Sequence, residues 1–229
     1  MGAAIARPLR ALGVAALLAH ALPAGAGELA ARYRVSLVAP DASGRPVVRT
    51  QDWTLWRAPD RIAWAKGGRT EDLWRRDARG NVRLERVFRS ERRVVHYAAG
   101  QLRAMGVEAD WSALGTPLDA RDLATLERVA QDGARARYRG VLRGERVELT
   151  WDERLALPVA LRRAEASGRE VRFELVESHV QPPADWPRPG ADTADYARLD
   201  AADFGDLAHD EFVRQVEARD ARAGWRSIR

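Results

Sequence analysis

The stretch Gln51–Trp64, QDWTLWRAPDRIAW, decides how the rest of the chain is read. Pro59-Asp60 is a turn pair, because proline presets the backbone dihedral that a turn requires. The segments on either side alternate apolar and polar residues, as half-buried strands do. On strict alternation Trp53 and Leu55 share one face, Ile62 and Trp64 share a face after the turn, and Trp56 points the other way. The stretch therefore predicts a β-hairpin with two unlike faces. Its tryptophans are either the packed core of a sheet or the wall of a cavity, and both readings stand at this point.

The same alternation runs from Tyr33 to about Val180. RYRVSLVA puts Tyr33, Val35 and Leu37 on one face before DASGRP turns the chain. TEDLWRRD and VRLERVF flank ARGN, a hairpin connection with Gly80 and Asn81, and RRVVHYA follows. ARARYRGVL, ERVELTWD, PVALRRAE and EVRFELVES supply four more strands, with outer turns at Arg143-Gly144 and Ala166-Ser167-Gly168. The prolines of QPPADWPRPG end the sheet, since each removes a ladder donor. About ten strands in hairpin order predict a mainly β (α+β) fold built on an antiparallel meander.

One helix interrupts the meander. Leu118, Leu123, Leu126 and Val129 fall at roughly helical spacing; Thr116 suits the cap, Pro117 the first position and Gly133 the exit. From Asp192 the chain reads as a loop and then a helix, with Asp206 as its cap and Phe212, Val213 and Val216 as a narrow apolar stripe.

Residues 1–26 read as a cleavable secretory signal: Arg7 and Arg10, an apolar run from Ala11 to Leu22, then Ala24-Gly25-Ala26, with cleavage before Gly27. The run is shorter than the ~20 apolar residues a spanning helix needs. The expected destination is the periplasm. Residues 27–189 form the expected sheet domain and 190–229 an acidic loop with a terminal helix. The charge follows this division: net +6 over 28–189, −6 over 192–211 and +3 over 212–229. In the sheet domain arginines alternate with apolar residues, the pattern of a solvated sheet face, so nucleic acid is not an expected partner. The chain has 229 residues, 46% of them hydrophobic, enough for a core without disulfides.

No constellation points to catalysis. Cysteine is absent, which excludes thiol chemistry and iron–sulfur clusters. His96 and His179 sit in strand-like runs, and Ser178 and His179, being adjacent, face opposite sides of a strand. There is no G-x-S-x-G elbow, phosphate-cradling glycine loop or H-E-x-x-H. Asp203, Asp206, His209 and Asp210 could surround a cation, but aspartates commonly decorate helix starts, so they read as a solvated acidic cap. The expectation is a non-enzymatic protein with no cofactor and no metal.

The order of these elements resembles the periplasmic lipoprotein-carrier superfamily, with its LolA-type and LolB-type carriers and RseB-like sensors. The resemblance lies in TLWRAPDRIAW (Leu55, Trp56, Pro59, Ile62 and Trp64), DLWRRDARGNV and VELTWDERLALPVALRRAEASGREVRFELVE with its Leu157-Pro158, and covers about residues 31–180. It implies a strongly curved open antiparallel sheet, a half-barrel, with helices covering its concave side. It also implies a non-enzymatic role in outer-membrane lipoprotein sorting or a related envelope task, with a lipid, acyl chain or lipidated partner in the cavity. Leu55, Ile62, Trp64, Trp53 and Trp74 are the expected cavity residues, in a monomer. In the dedicated carriers an arginine directly precedes the hairpin proline and helps hold the lid closed; here Ala58 takes that place and Arg57 stands one residue earlier. The alternative is an envelope sensor or scaffold that meets a protein partner through its acidic and basic tail.

Overall fold

The alternating segments pair as hairpins in a computed structural model that describes residues 28–226; the expected signal lies outside the described residues. The strands are β1 (Leu29–Pro40), β2 (Pro46–Arg57), β3 (Arg61–Lys66), β4 (Thr70–Arg76), β5 (Val82–Phe88), β6 (Arg93–Tyr97), β7 (Glu127–Asp132), β8 (Arg135–Leu142), β9 (Glu145–Asp152), β10 (Leu157–Ala164), β11 (Glu170–Val180) and β12 (Ala197–Asp200). The helices are α1 (Ala99–Ala104), α2 (Trp111–Leu114), α3 (Ala120–Ala124) and α4 (Glu211–Arg222). All twelve strands join one open sheet in the order β12-β6-β5-β4-β3-β2-β1-β11-β10-β9-β8-β7. The hairpin at Pro59-Asp60 closes where the sequence places it, with Ala58 N–H donating to the Arg61 carbonyl over 2.7 Å.

The sheet is curved. Tyr33 of β1 donates its hydroxyl to the Pro158 carbonyl of β10 over 3.1 Å, past the intervening β11. Arg57 of β2 reaches the carbonyls of Leu155 and Ala156 at the β9–β10 turn. Strands stand about 4.8 Å apart, so a flat sheet would separate β2 from β10 by roughly 14 Å, beyond one arginine side chain.

Three expectations need correction. There are twelve strands rather than about ten, and the sheet is mixed: β12 runs parallel to β6. The prolines after Val180 end the meander, yet the chain returns at Ala197 to cover the β6 edge. The single helix expected over 116–133 is replaced by short α2 and α3 and then strand β7. Asp119, not Thr116, caps α3 by accepting from Arg121 N–H. Gly133, at φ +56°, makes the β7–β8 turn instead of a helix exit, and a positive-φ glycine serves either role. Finally, α4 is capped by Asp210, which accepts from Phe212 N–H over 2.8 Å, and not by Asp206.

Each face has its own apolar cluster. The inner face holds the large one, from Tyr33, Leu55, Ile62 and Leu84 across to Leu149, Leu161 and Phe173, with Leu102, Leu118, Phe212, Val213 and Val216 of the covering segments packed into it. The outer face carries Ala63, Leu73, Val87 and Val94, with Trp56 and Tyr196 against them. Residues 181–196 cross this outer face as a strap. Glu71, buried, accepts from Gly190 N–H over 2.6 Å and from Arg89, whose Nη1 donates to the Ala191 carbonyl. The last residues thus pass from the outer face, along the β6 edge as β12, to the inner face as α4.

If the inner face is packed solid under α4, removing a side chain there leaves a cavity. Leu84→Ala, at a position with no exposure, is expected to lower stability by ~2–5 kcal/mol in urea unfolding; a loss below ~1 kcal/mol would contradict a filled inner face.

Candidate functional site

The opening hairpin supplies most of the site. Leu55, Ile62, Trp64 and Trp74 lie on the inner face, each less than 9% exposed, and half-buried Trp53 packs beside them. Tyr33, Trp53, Trp64 and Phe173 form one aromatic cluster, with ring centroids 5.4–6.2 Å apart and mostly edge-to-face. Trp56 points outward as alternation demands, and its Nε1 donates to the Pro187 carbonyl of the strap over 2.9 Å. Trp74 belongs to a neighbouring group, its ring 6.5 Å from Trp225 beyond the end of α4. The structure therefore brings four expected residues together around Trp64 and places Trp74 under the tail.

These residues are packed against one another and do not line an empty cavity. A cleft of about 90 Å³ at the hairpin turn reaches Ile62 and Trp74 but is otherwise lined by outer-face and strap residues such as Trp56, Ala63, Leu73 and Pro189, and none of Trp53, Leu55 or Trp64 lines it. One polar atom in the cluster is left without a partner: the buried Nε1 of Trp53. A buried unpaired donor carries a desolvation penalty of ~1–3 kcal/mol, which an acceptor on a guest would relieve.

The same hairpin fastens the cover. Trp64 Nε1 donates to the Leu114 carbonyl at the end of α2 over 2.8 Å. Arg57 donates to the Gly115 carbonyl over 3.4 Å and to the Leu155 and Ala156 carbonyls over 2.5 and 3.3 Å. Among the described residues Arg57 has no carboxylate in salt-bridge range. Burial accordingly pulls its pKa down from the ordinary arginine value, with a small opposing contribution from Tyr33. Gly115 must lack a side chain here, since a Cβ would meet Arg57 Cδ at 2.9 Å. Arg57 thus ties the cover to the β9–β10 turn across the mouth of the curve. Its place beside Ala58 was visible in the sequence; its three carbonyl partners were not.

The tail is fastened by a buried ionic chain that alternation alone does not announce. Arg86 Nε donates to Asp72 Oδ1 over 2.6 Å and its Nη1 to Asp220 Oδ1 over 2.5 Å. Tyr97 donates to Asp220 Oδ2 over 2.8 Å, Lys66 to Asp72 Oδ2 over 2.8 Å, and Trp225 lies 5.0 Å from the guanidinium. Burial opposes charge on Asp72, but Arg86 and Lys66 outweigh it and hold the carboxyl well below the usual aspartate range. At Asp220 burial prevails over Arg86 and Tyr97 and pushes the carboxyl up. The sequence did carry one signal: Arg86 stands between Leu84 and Phe88 on an otherwise apolar face, and Asp72 stands before Trp74 likewise.

Of the residues weighed as a cation site, one side chain is committed elsewhere. Asp210 caps α4 and pairs with Arg93 over 2.9 Å, and the His209 carbonyl accepts from Arg214. Among the described residues no three His, Asp or Glu side chains are grouped to hold a metal ion. His96 lies 3.4 Å from Asp200 and His179 3.4 Å from Glu177, each a strand histidine beside a carboxylate.

The two fasteners make separate predictions. Arg57→Ala is expected to raise amide hydrogen exchange in residues 111–124 while leaving β4–β6 protected; unchanged exchange in α2 would show that Arg57 does not hold the cover. Arg86→Met takes the guanidinium from two buried carboxylates, leaving Asp72 only Lys66 and Asp220 only Tyr97, and is expected to cost ~3–5 kcal/mol at pH 7. The sign with pH is fixed by Asp72. Its lowered pKa contributes stability that is present above about 3.9 and lost as pH falls below it. In the variant both carboxylates protonate more readily, so the penalty should shrink between pH 7 and pH 4.5; an equal penalty at both would refute the assignment.

No family model matches the sequence, and no curated protein matches it. Solved structures that resemble it include a chain of the Pseudomonas aeruginosa MucA/MucB complex, at 15% identity and a TM-score of 0.37, covering 69% of this chain and 53% of that one. A chain from the crystal structure of MucB in complex with MucA(peri) matches at 11% identity and a TM-score of 0.28, covering 72% of this chain and 60% of that one. The chain thus spans less than two thirds of each of these structures.

Proposed function

We propose that this is an exported, non-enzymatic protein of the periplasm that holds a hydrophobic guest on the inner face of its curved sheet. The guest's apolar part is an acyl chain, of a free amphiphile or of a lipidated envelope protein. The observation that carries this reading is the fastening of the cover. Helices α2 and α3 contribute no fully buried residue of their own, Leu118 between them being the buried anchor, and the end of α2 is tied to the hairpin by side chains donating to backbone carbonyls. An element with few buried contacts opens at low free-energy cost. Opening would uncover Trp53, Leu55, Ile62 and Trp64, an apolar surface with one spare indole donor. Each acyl methylene buried there contributes about 0.8 kcal/mol, so a long chain can offset the opening. Reaching Trp74 would also require Trp225 to move.

The other reading makes the tail a free arm for a protein partner. Against it, four of the tail's aspartates are engaged within the chain: Asp195 with Arg92, Asp200 with His96 and Gln101, Asp210 with Arg93 and Asp220 with Arg86. A tail so fastened serves as part of the fold rather than as a free arm for a protein partner.

Native lipid extraction with mass spectrometry on the purified protein tests the proposal, alongside displacement of a fluorescent fatty acid. Recovery of an acyl-chain ligand, and faster probe uptake by Arg57→Ala, are expected. No ligand recovered and no probe bound by either protein would end the cavity reading.

A further inference from the structure

On the far side of α4 from the aromatic cluster an open groove of about 500 Å³ runs beside the turns that join β3 to β4 and β5 to β6. Its rim carries Arg69 from the first of these turns and Arg219 and Arg222 from α4. These guanidiniums come from distant parts of the sequence and meet only in the fold. Arg219 donates to Thr70 Oγ1 over 3.0 Å and stands 5.7 Å from the Phe88 ring. Arg69 and Arg222 are exposed and make no ion pair among the described residues. Thr70, Ser90 and Gln215 add neutral donors, and Glu91 is the one carboxylate among the lining residues. Of the carboxylates on the flanking elements, Glu71 pairs with Arg89, Asp210 with Arg93 and Asp220 with Arg86, Glu211 accepts from Gln215, and Glu217 lines a separate cleft with Met105 and Trp225. The floor is Phe88 and Phe212, edge to face at 5.0 Å.

Three arginine forks facing one space, two of them unneutralised, suit a compact oxyanion such as a phosphate group, whose several acceptor oxygens match guanidinium geometry. An extended acidic peptide is the weaker fit. Peptides gain affinity by adding to an unpaired strand edge, and the groove borders β4 and β5, which are paired on both sides. We propose that the groove docks the protein on the anionic face of a phospholipid bilayer. A lipid phosphate would sit between Arg69, Arg219 and Arg222, with its glycerol carbons toward Phe88 and Phe212. This contact is separate from the inner-face guest and does not require it.

Co-sedimentation with vesicles of phosphatidylcholine containing one third phosphatidylglycerol, at low and at physiological salt, tests the proposal. The protein should pellet with these vesicles and not with pure phosphatidylcholine. A basic residue near an anionic surface is worth about five-fold in binding. The triple variant Arg69→Gln, Arg219→Gln, Arg222→Gln should therefore lose on the order of a hundred-fold. The charge-matched variant Arg79→Gln, Arg83→Gln, Arg135→Gln, altering exposed arginines elsewhere, should lose no more than ten-fold. Arg222→Glu alone, which removes no internal bond, should also weaken pelleting and guards against misfolding of the triple variant. Equal losses in the two triple variants would overturn the proposal in favour of net charge alone. So would binding of free inorganic phosphate, or of poly-glutamate, at the groove without vesicle pelleting.

Discussion

This open sheet carries an apolar cluster on each face, and a buried Arg86 is the point at which the chain secures the covering of the inner one. Asp72 comes from β4, Arg86 from β5 and Asp220 from α4, so one guanidinium joins the sheet to the tail. Such pairs add little net stability over apolar residues of the same shape, yet each partner left alone is costly. Their effect is therefore positional: α4 has one register in which both carboxylates are matched. Tyr97 and Trp225 close the site around the guanidinium and keep water from competing. The same segment, upstream, straps the outer face through Glu71 and protects the β6 edge as β12, so that an edge which could otherwise recruit another chain is paired.

The other end of the curve is fastened differently. Arg57 and Trp64 hold the cover through backbone carbonyls alone, and the helices so held are each no longer than six residues. Neutral acceptors offset less of the cost of burying a guanidinium than a carboxylate would. One end of the sheet is thus tied by a buried chain of matched charges; the other, apart from an Arg143–Asp122 pair at α3, is tied by bonds to neutral acceptors that break more cheaply. This asymmetry gives the molecule a firm side and an openable side, with the aromatic cluster of Tyr33, Trp53, Trp64 and Phe173 beneath the openable one.

Much of the fold was legible because strands write themselves with a period of two. Pro59-Asp60, the paired alternation around it and the opposed directions of Trp53 and Trp56 needed no tertiary information. The helix expected at 116–133 shows where such reading fails. Leu118, Leu123 and Leu126 satisfy helical spacing, but Leu118 and Leu126 are both drawn into the inner-face core at different places, with a turn of helix between them. Gly133 ends a helix or makes a hairpin turn with the same positive φ, so local rules could not choose between the two. The four-residue β12 was invisible for a related reason: so short a segment has no periodicity, and only the exposed β6 edge gives it a partner.

The sequence by itself determined the strand pattern, the hairpin with its two unlike faces, and the charge division that sets the tail apart, because each depends on neighbours within a few residues. Tertiary structure alone decided that the inner face is filled, that Arg57 spans the mouth, that Asp195, Asp210 and Asp220 of the tail pair with Arg92, Arg93 and Arg86, and that Arg69 meets Arg219 and Arg222. Those outcomes depend on curvature and on contacts between residues 58 or more apart in the chain, which carry no local signature.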